Sequence, residues 1–263
     1  MPIRLDAAAV SDIGRYRTSN QDAAFTASWG AAVADGVGGG PSGDLASAAF
    51  VHRLVPSPLT ATDAEQLLVQ IREANWDLRA HVQRDPSLQG MATTFTGVFV
   101  APEDRLLLAH TGDSRAYLLR HAQLRRETRD DSYVQALVDS GLLTPEAAAS
   151  HPRRNIITAS LGGGEEDVVS IAERDTVIGD RWLLCSDGVS DYLDDEEIGL
   201  TLLRHRGVAD AAAALVALAL DSGSRDNVTA VVCDVLDGDA AAEPAAFSGS
   251  AGELFQEDLD ISA

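Results

Sequence analysis

The 263-residue chain has few cysteines, no excess of basic residues and no long hydrophobic run. Its two cysteines, Cys185 and Cys233, each lie inside an apolar segment, so neither a disulfide framework nor a Cys-x-x-Cys zinc site is indicated. The 41 acidic and 20 basic residues give a net charge of −21. This balance argues against nucleic-acid binding, because that function needs a basic surface.

The N-terminal residues lack the basic segment and the following apolar stretch of a secretory signal. The longest run of small apolar residues, 211–220, is about half of the roughly 20 residues that span a membrane. No repeat of solenoid length occurs. We therefore expect a soluble, cytoplasmic protein without a membrane span, whose 45% hydrophobic content can fill a sizeable core.

The acidic excess is uneven along the chain. Residues 237–263 contain seven acidic residues and no basic one, and residues 240–252 are rich in Ala, Gly, Ser and Pro. This composition predicts a folded domain over residues 1–237 and a flexible acidic tail over residues 238–263. Residues 254–259, with the sequence LFQEDL, form a short amphipathic motif that could dock onto a partner, although a solvated tail is the favoured interpretation.

Apolar runs of strand length alternate with a few longer helical stretches. Runs rich in Val, Leu and Thr predict strands over residues 31–34, 94–101, 105–110, 116–119, 182–185 and 228–235. Helical spacing and capping residues predict helices over residues 45–54, 64–83, 133–140 and 209–220, with a short helix beginning at Pro145. The pattern predicts an α+β protein in which helices cover antiparallel strands.

Four predicted strands each meet an Asp that has a small or amide neighbour. In chain order these are Asp35-Gly36, Asp113-Ser114, Asp187-Gly188 and Asp226-Asn227. Carboxylates that converge at buried strand ends repel one another unless a cation lies between them. Oxygen ligands without His or Cys favour Mg²⁺ or Mn²⁺ over Zn²⁺. Each pair taken alone is also typical of a hairpin turn, so both interpretations stay open at this point.

The surrounding residues form a series of short motifs in a fixed order over residues 11–234. They are SDIGRYRTSNQD (11–22), ADGVGG (34–39), ATT (92–94), TGDSRAY (111–117), CSDG (185–188) and SRDNVT (224–229). The series resembles that of the PP2C-type (PPM) metal-dependent protein serine/threonine phosphatases, in their compact bacterial branch. The resemblance implies a β-sandwich of two antiparallel sheets flanked by α-helices, arranged in four αββα layers.

The resemblance also implies a centre of two Mn²⁺ or Mg²⁺ ions. Asp35 matches the carboxylate that bridges both ions, and Gly36 matches the residue whose carbonyl contacts the second. Asp187 and Asp226 match the remaining ligands of the first ion. Asp113 matches the residue that, with Asp187, holds a third, weaker ion in bacterial members.

Further residues match positions around that centre. Arg17 matches the arginine that grips the substrate phosphate, and Asp35, Asp187 and Arg17 are the expected catalytic residues. Ser132 lies in a segment, 128–155, that resembles the family's mobile flap, and it is a candidate for substrate binding. The residues expected to support the ligands are Gln21, Asp22, Thr93, Thr94 and Asn227.

The expected function is hydrolysis of phosphoserine and phosphothreonine in proteins by a metal-activated bridging water, without a protein nucleophile. Phosphorylated proteins are the expected partners, a Ser/Thr kinase is the expected opponent, and a monomer is expected. Two positions depart from the family: Val37 replaces a His that can protonate the leaving group, and Gln21 replaces a Glu. The alternatives are a catalytically weak phosphoprotein-binding module, a phosphatase dedicated to an anti-sigma antagonist, and a Ca²⁺-binding protein.

Overall fold

The computed structural model describes residues 2–37, 42–55, 62–241 and 243–254. The strands in these residues are β1 (Ile3–Asp12), β2 (Asp22–Ala27), β3 (Gly30–Asp35), β4 (Phe95–Ala101), β5 (Arg105–Thr111), β6 (Arg115–Arg120), β7 (Gln123–Arg126), β8 (Ser170–Arg174), β9 (Arg181–Cys185), β10 (Val228–Asp237) and β11 (Ala246–Gly249). The α-helices are α1 (Gly43–Leu54), α2 (Ala64–Arg84), α3 (Tyr133–Asp139), α4 (Pro145–Ala149), α5 (Asp187–Ser190), α6 (Asp195–Arg204), α7 (Val208–Asp221) and α8 (Ser250–Leu254).

The strands form two antiparallel sheets that pack face to face. One sheet has the order β1-β10-β9-β6-β7, and the other has the order β11-β2-β3-β4-β5-β8. Between them, Ala31 and Val33 of β3 lie in one buried cluster with Trp182 of β9 and Val231 of β10. The expected sandwich of two antiparallel sheets is confirmed.

Helices cover the outer face of each sheet. Phe50 of α1 and Ile71 of α2 pack in one cluster with Ala32 of β3, while Leu215 of α7 packs with Val232 of β10 on the other side. Successive residues of a strand point to opposite faces, so Val231 faces the other sheet and Val232 faces the helices. The four αββα layers are therefore present. None of the helices in the described residues is long and apolar enough to cross a membrane.

Each predicted strand and helix is present, with ends shifted by one or two residues. The strands β1, β2, β7, β8 and β11 and the helices α5, α6 and α8 were not predicted. In β1 and β2 the reason is alanine, which has low strand propensity; the packing between layers holds these segments extended. Helix α6 did carry a signal, because Asp194 and Glu197 form a capping box at its start.

The prediction of a flexible tail from residue 238 onward is wrong for residues 246–254. Strand β11 pairs with β2, with Phe247 opposite Phe25. The Phe247 ring stacks on His52 of α1 with their centroids 4.0 Å apart, and Ala251 is buried. Composition suggested disorder, but one aromatic and several small residues suffice to extend an existing sheet edge. Residues 255–263, which include most of the LFQEDL motif, lie outside the described residues.

Candidate metal centre

The antiparallel register brings the Asp-bearing strand ends to one end of the sandwich. Asp35 ends β3 and lies opposite Asp22, the first residue of β2. In the other sheet, Arg115 at the start of β6 pairs with Cys185 at the end of β9, and Cys185 pairs with Ala230 near the start of β10. The segments before β6, after β9 and before β10 therefore meet at this end. They carry Asp113, Asp187, which begins α5, and Asp226.

A cleft of ≈ 320 Å³ opens between these strand ends. Its lining consists of Arg17, Gln21, Asp35, Gly36, Val37, Thr94, Asp113, Asn155, Ile157, Asp187, Asp226 and Asn227. The structure thus brings all four Asp carboxylates together with Arg17. Asn155 and Ile157 were not singled out from the sequence as lining residues: Asn155 ends the segment that resembles the flap, and Ile157 lies two residues beyond it.

Two threonines hold the backbone of Asp35 from beneath the cleft. Thr94 Oγ1 accepts a hydrogen bond from the Asp35 N–H at 3.0 Å. Thr93 Oγ1 donates to the Asp35 carbonyl, also at 3.0 Å. Both side chains are buried, and Thr94 Oγ1 lies 2.7 Å from Ser114 Oγ beside Asp113. The two threonines therefore hold the backbone of Asp35 in place, and their role in supporting metal ligands stays a prediction.

Asn227 and Asp22 connect the two sheets behind the cleft. Asn227 Oδ1 accepts from the Gln21 N–H at 2.8 Å, and its Nδ2 donates to the Ser19 carbonyl. Asp22 Oδ2 accepts from Ser186 Oγ at 2.7 Å, beside Asp187. These hydrogen bonds fix the segment 19–22 against the starts of α5 and β10.

Two glycines allow backbone segments to meet at the cleft. A Cβ atom on Gly36 would lie 2.2 Å from the Gly43 carbonyl oxygen. A Cβ atom on Gly188 would lie 1.9 Å from the Asn227 carbonyl oxygen. A side chain at either position would push apart the segments that carry the carboxylates.

Burial raises the pKa of four carboxyl groups at this end of the sandwich, and repulsion from neighbouring carboxylates adds to the effect. The pKa of Asp22 rises to about 6 and that of Asp113 to about 7. The pKa values of Asp35 and Asp187 rise well above their usual range, with Asp22 repelling Asp35 and Asp113 repelling Asp187. A bound cation would relieve this repulsion.

The residues present fit a site for hard divalent cations. The ligand atoms are carboxylate and carbonyl oxygens, which Mg²⁺ and Mn²⁺ prefer. Within the described part of the chain, Asp187 Oδ1 is buried without a hydrogen-bond partner, as expected of an atom that binds an ion. No three His, Cys, Asp or Glu side chains of the described residues close around one point. Arg17 Nη2 lies 2.6 Å from Asp226 Oδ2, so this carboxylate is paired with the guanidinium.

The expected substrate-binding residue Ser132 does not line this cleft. Its side chain caps helix α3 by accepting from the Gln135 N–H at 3.2 Å, and it is buried. It lines a neighbouring pocket that shares Asp113, Asp187 and Asn155 with the cleft. The helix-start interpretation of residues 130–132 is confirmed, and a role for Ser132 in substrate binding stays a prediction.

The described architecture defines a class of protein: a four-layer αββα sandwich with an acidic, metal-type cleft at one end of its sheets. The family model for protein phosphatase 2C matches residues 15–230. The chain belongs to the protein phosphatase 2C family.

Several bacterial relatives are similar to this chain. Serine/threonine protein phosphatase PstP of Mycobacterium tuberculosis is 43% identical over 240 residues, which cover 88% of this chain and 45% of PstP. This chain therefore spans about half the length of that relative. Serine/threonine phosphatase stp of Listeria monocytogenes is 33% identical over 214 residues, covering 77% of this chain and 82% of the relative.

The solved structures agree with the family assignment. A crystal structure of the M. tuberculosis phosphatase PstP/Ppp has a TM-score of 0.83 and 41% identity, covering 89% of this chain and 100% of the solved chain. A second PstP structure, of the catalytic domain in complex with two manganese ions, has a TM-score of 0.80 and 40% identity over the same shares.

Proposed function

We propose that this protein is a metal-dependent protein phosphatase that hydrolyses phosphoserine and phosphothreonine. The observation that carries the proposal is the convergence of Asp35, Asp113, Asp187 and Asp226 with Arg17 in one cleft. The names of the relatives, which are serine/threonine phosphatases, support the choice of substrate class. The two manganese ions in the PstP structure support the choice of cofactor.

In this proposal two Mn²⁺ or Mg²⁺ ions bind in the cleft. Asp35 would hold both ions, Asp187 and Asp226 would complete the first position, and the Gly36 carbonyl would serve the second. Asp113 and Asp187 would hold a third, weaker ion. Divalent cations bound here supply Lewis-acid catalysis, in which they lower the pKa of water and neutralise phosphoryl charge.

Arg17 binds the substrate phosphate. Its planar guanidinium can donate two parallel hydrogen bonds to phosphate oxygens, and its side chain is 40% exposed at the mouth of the cleft. In the structure this group pairs with Asp226, so its charge faces the cleft before substrate arrives. Val37 also lines the cleft, and its side chain has no ionisable proton, so it cannot protonate the leaving group.

The partners in this proposal are phosphorylated proteins, including a Ser/Thr kinase or its targets, and the protein acts as a cytoplasmic monomer. The relatives' names support the phosphoprotein substrates. The kinase rests on the sequence resemblance, and the compartment and the oligomeric state are carried over as proposals from the sequence analysis.

Hydrolysis of p-nitrophenyl phosphate and of a phosphothreonine peptide tests the proposal. The assays contain Mn²⁺, Mg²⁺, Ca²⁺ or EDTA. We expect turnover with Mn²⁺ that is lost in Asp35→Asn and in Asp187→Asn. The matched control is Asp221→Asn, because that side chain is 77% exposed and does not line the cleft. A folded wild-type protein without turnover in any metal would refute the phosphatase and favour a phosphoprotein-binding module.

A further inference from the structure

The segment 246–254, formed by β11 and α8, contacts the back of the cleft. It lies beyond residues 15–230, which the family model matches. Gly249 pairs with Ala23 of β2, one residue after Asp22. Gly249 has a φ of +66°, and a Cβ atom there would lie 2.2 Å from the Asp22 carbonyl oxygen. Only glycine fits this approach, which brings the next residue, Ser250, to the backbone of segment 21–22.

Two buried hydroxyl groups bind the backbone of that segment. Ser250 Oγ donates to the Asp22 carbonyl at 3.0 Å and lies 3.0 Å from Ser47 Oγ of helix α1. Ser47 Oγ donates to the Gln21 carbonyl at 2.6 Å. Ser47 and Ser250 are 0% and 1% exposed. Solvent therefore does not supply the hydrogen bond to the backbone carbonyl that is lost when either hydroxyl is removed.

The Gln21 carbonyl connects this serine pair to the proposed metal ligands. It also accepts from the Gly36 N–H at 3.0 Å, directly beside the Gly36 carbonyl. The Gln21 side chain packs against Gly43 and lines the cleft. A shift of the Gln21 backbone would therefore move Gly36 relative to Asp35, whose own backbone Thr93 and Thr94 hold separately.

We propose that Ser250 and Ser47 are positioning residues that set the second metal position, served by Asp35 and the Gly36 carbonyl. The C-terminal segment 246–254 then helps to position the ligands of the metal centre. This inference rests on the proposed function, because it concerns the same ions. The effect falls on the second position, because the Gly36 carbonyl serves only that ion. The first position shares Asp35 but also depends on Asp187 and Asp226, which the serines do not contact.

Calorimetric titration of Mn²⁺ into the full chain tests the inference, together with rates measured against Mn²⁺ concentration. The variants are Ser250→Ala and Ser47→Ala. The matched control is Ser248→Ala, a half-buried serine of β11 that lies two residues before Ser250 and opposite Ala24. We expect one of two Mn²⁺ binding steps to weaken about fivefold in each test variant, as for the loss of one buried hydrogen bond. The Mn²⁺ concentration for half-maximal rate should rise equally, with kcat at saturating Mn²⁺ preserved.

A purely structural role would lower Tm in both test variants and leave both Mn²⁺ affinities at the wild-type value. That result, or equal weakening of both steps, would overturn the inference while wild-type turnover upheld the phosphatase. Wild-type protein that binds no Mn²⁺ would overturn the phosphatase and this inference together. The wild-type titration thus distinguishes failure of the inference about the serines from failure of the proposed phosphatase function.

Discussion

The metal-free protein should become more stable as the pH falls from about 7.5 to about 5.5, because of its buried carboxylates. Burial raises the pKa of Asp113 to about 7 in the folded chain, against 3.8 as its ordinary value. Between these values the folded chain binds more protons than the unfolded chain. The stability that this protonation contributes is complete below the ordinary pKa and is lost as the pH rises through about 7.

The size of the effect follows from the same pKa. Over this pH interval, protonation of Asp113 contributes about 2 kcal/mol to the free energy of unfolding. For a domain of this size that corresponds to a change in Tm of about 4 °C. Asp22, with a pKa of about 6, acts in the same direction. His110 acts in the opposite direction, because burial lowers its pKa and acid must then charge a buried ring.

Thermal unfolding in EDTA at the two pH values, for wild type and for Asp113→Asn, isolates the Asp113 contribution. His110 affects both proteins alike, so its effect cancels in the comparison. We expect the rise in Tm on acidification to be about 4 °C larger in wild type than in the variant. Equal pH dependence in the two proteins would refute the reasoning from buried like charges.

Four further outcomes follow from the same geometry. Mn²⁺ should raise Tm more at about pH 7.5 than at about pH 5.5, because protonated carboxylates do not bind it. Thermal unfolding with and without Mn²⁺ measures this, and a rise in Tm that is the same at both pH values would contradict it. Arg17→Lys should raise KM for a phosphopeptide about tenfold, since an ammonium cannot form the bidentate pair, and an unchanged KM would exclude a role in phosphate binding. Gly188→Ala should lower the free energy of unfolding in urea by about 2 kcal/mol and lower turnover, because its Cβ would lie 1.9 Å from the Asn227 carbonyl oxygen. A variant as stable as the wild type would contradict that contact. With a net charge of −21, the protein should hydrolyse a phosphopeptide with basic flanks faster than one with acidic flanks at low salt. Equal rates that do not change with salt would contradict electrostatic attraction of basic substrates.

The convergence of the four Asp residues in one cleft could be predicted because they lie in short, ordered motifs. Asp35, Asp113, Asp187 and Asp226 each follow or precede an apolar run that does form a strand. Antiparallel pairing then brings the ends of those strands together. Local pattern and motif order therefore suffice to identify these four Asp residues as candidate ligands. The alternation of Val231 and Val232 between two buried faces is likewise visible as an uninterrupted apolar run.

Other features depend on contacts between residues far apart in the chain, which no local pattern encodes. The Ser250 hydroxyl and the Asp22 carbonyl are 228 residues apart, and the paired Arg17 and Asp226 are 209 residues apart. Strand β11 lies in an acidic, alanine-rich stretch whose composition favours disorder, and only the exposed edge of β2 makes it a strand. The sequence by itself determined the family, the αββα class and the carboxylates. The tertiary structure decided how the carboxylates interact and what holds them, because burial, repulsion and hydrogen-bond partners exist only once distant segments meet.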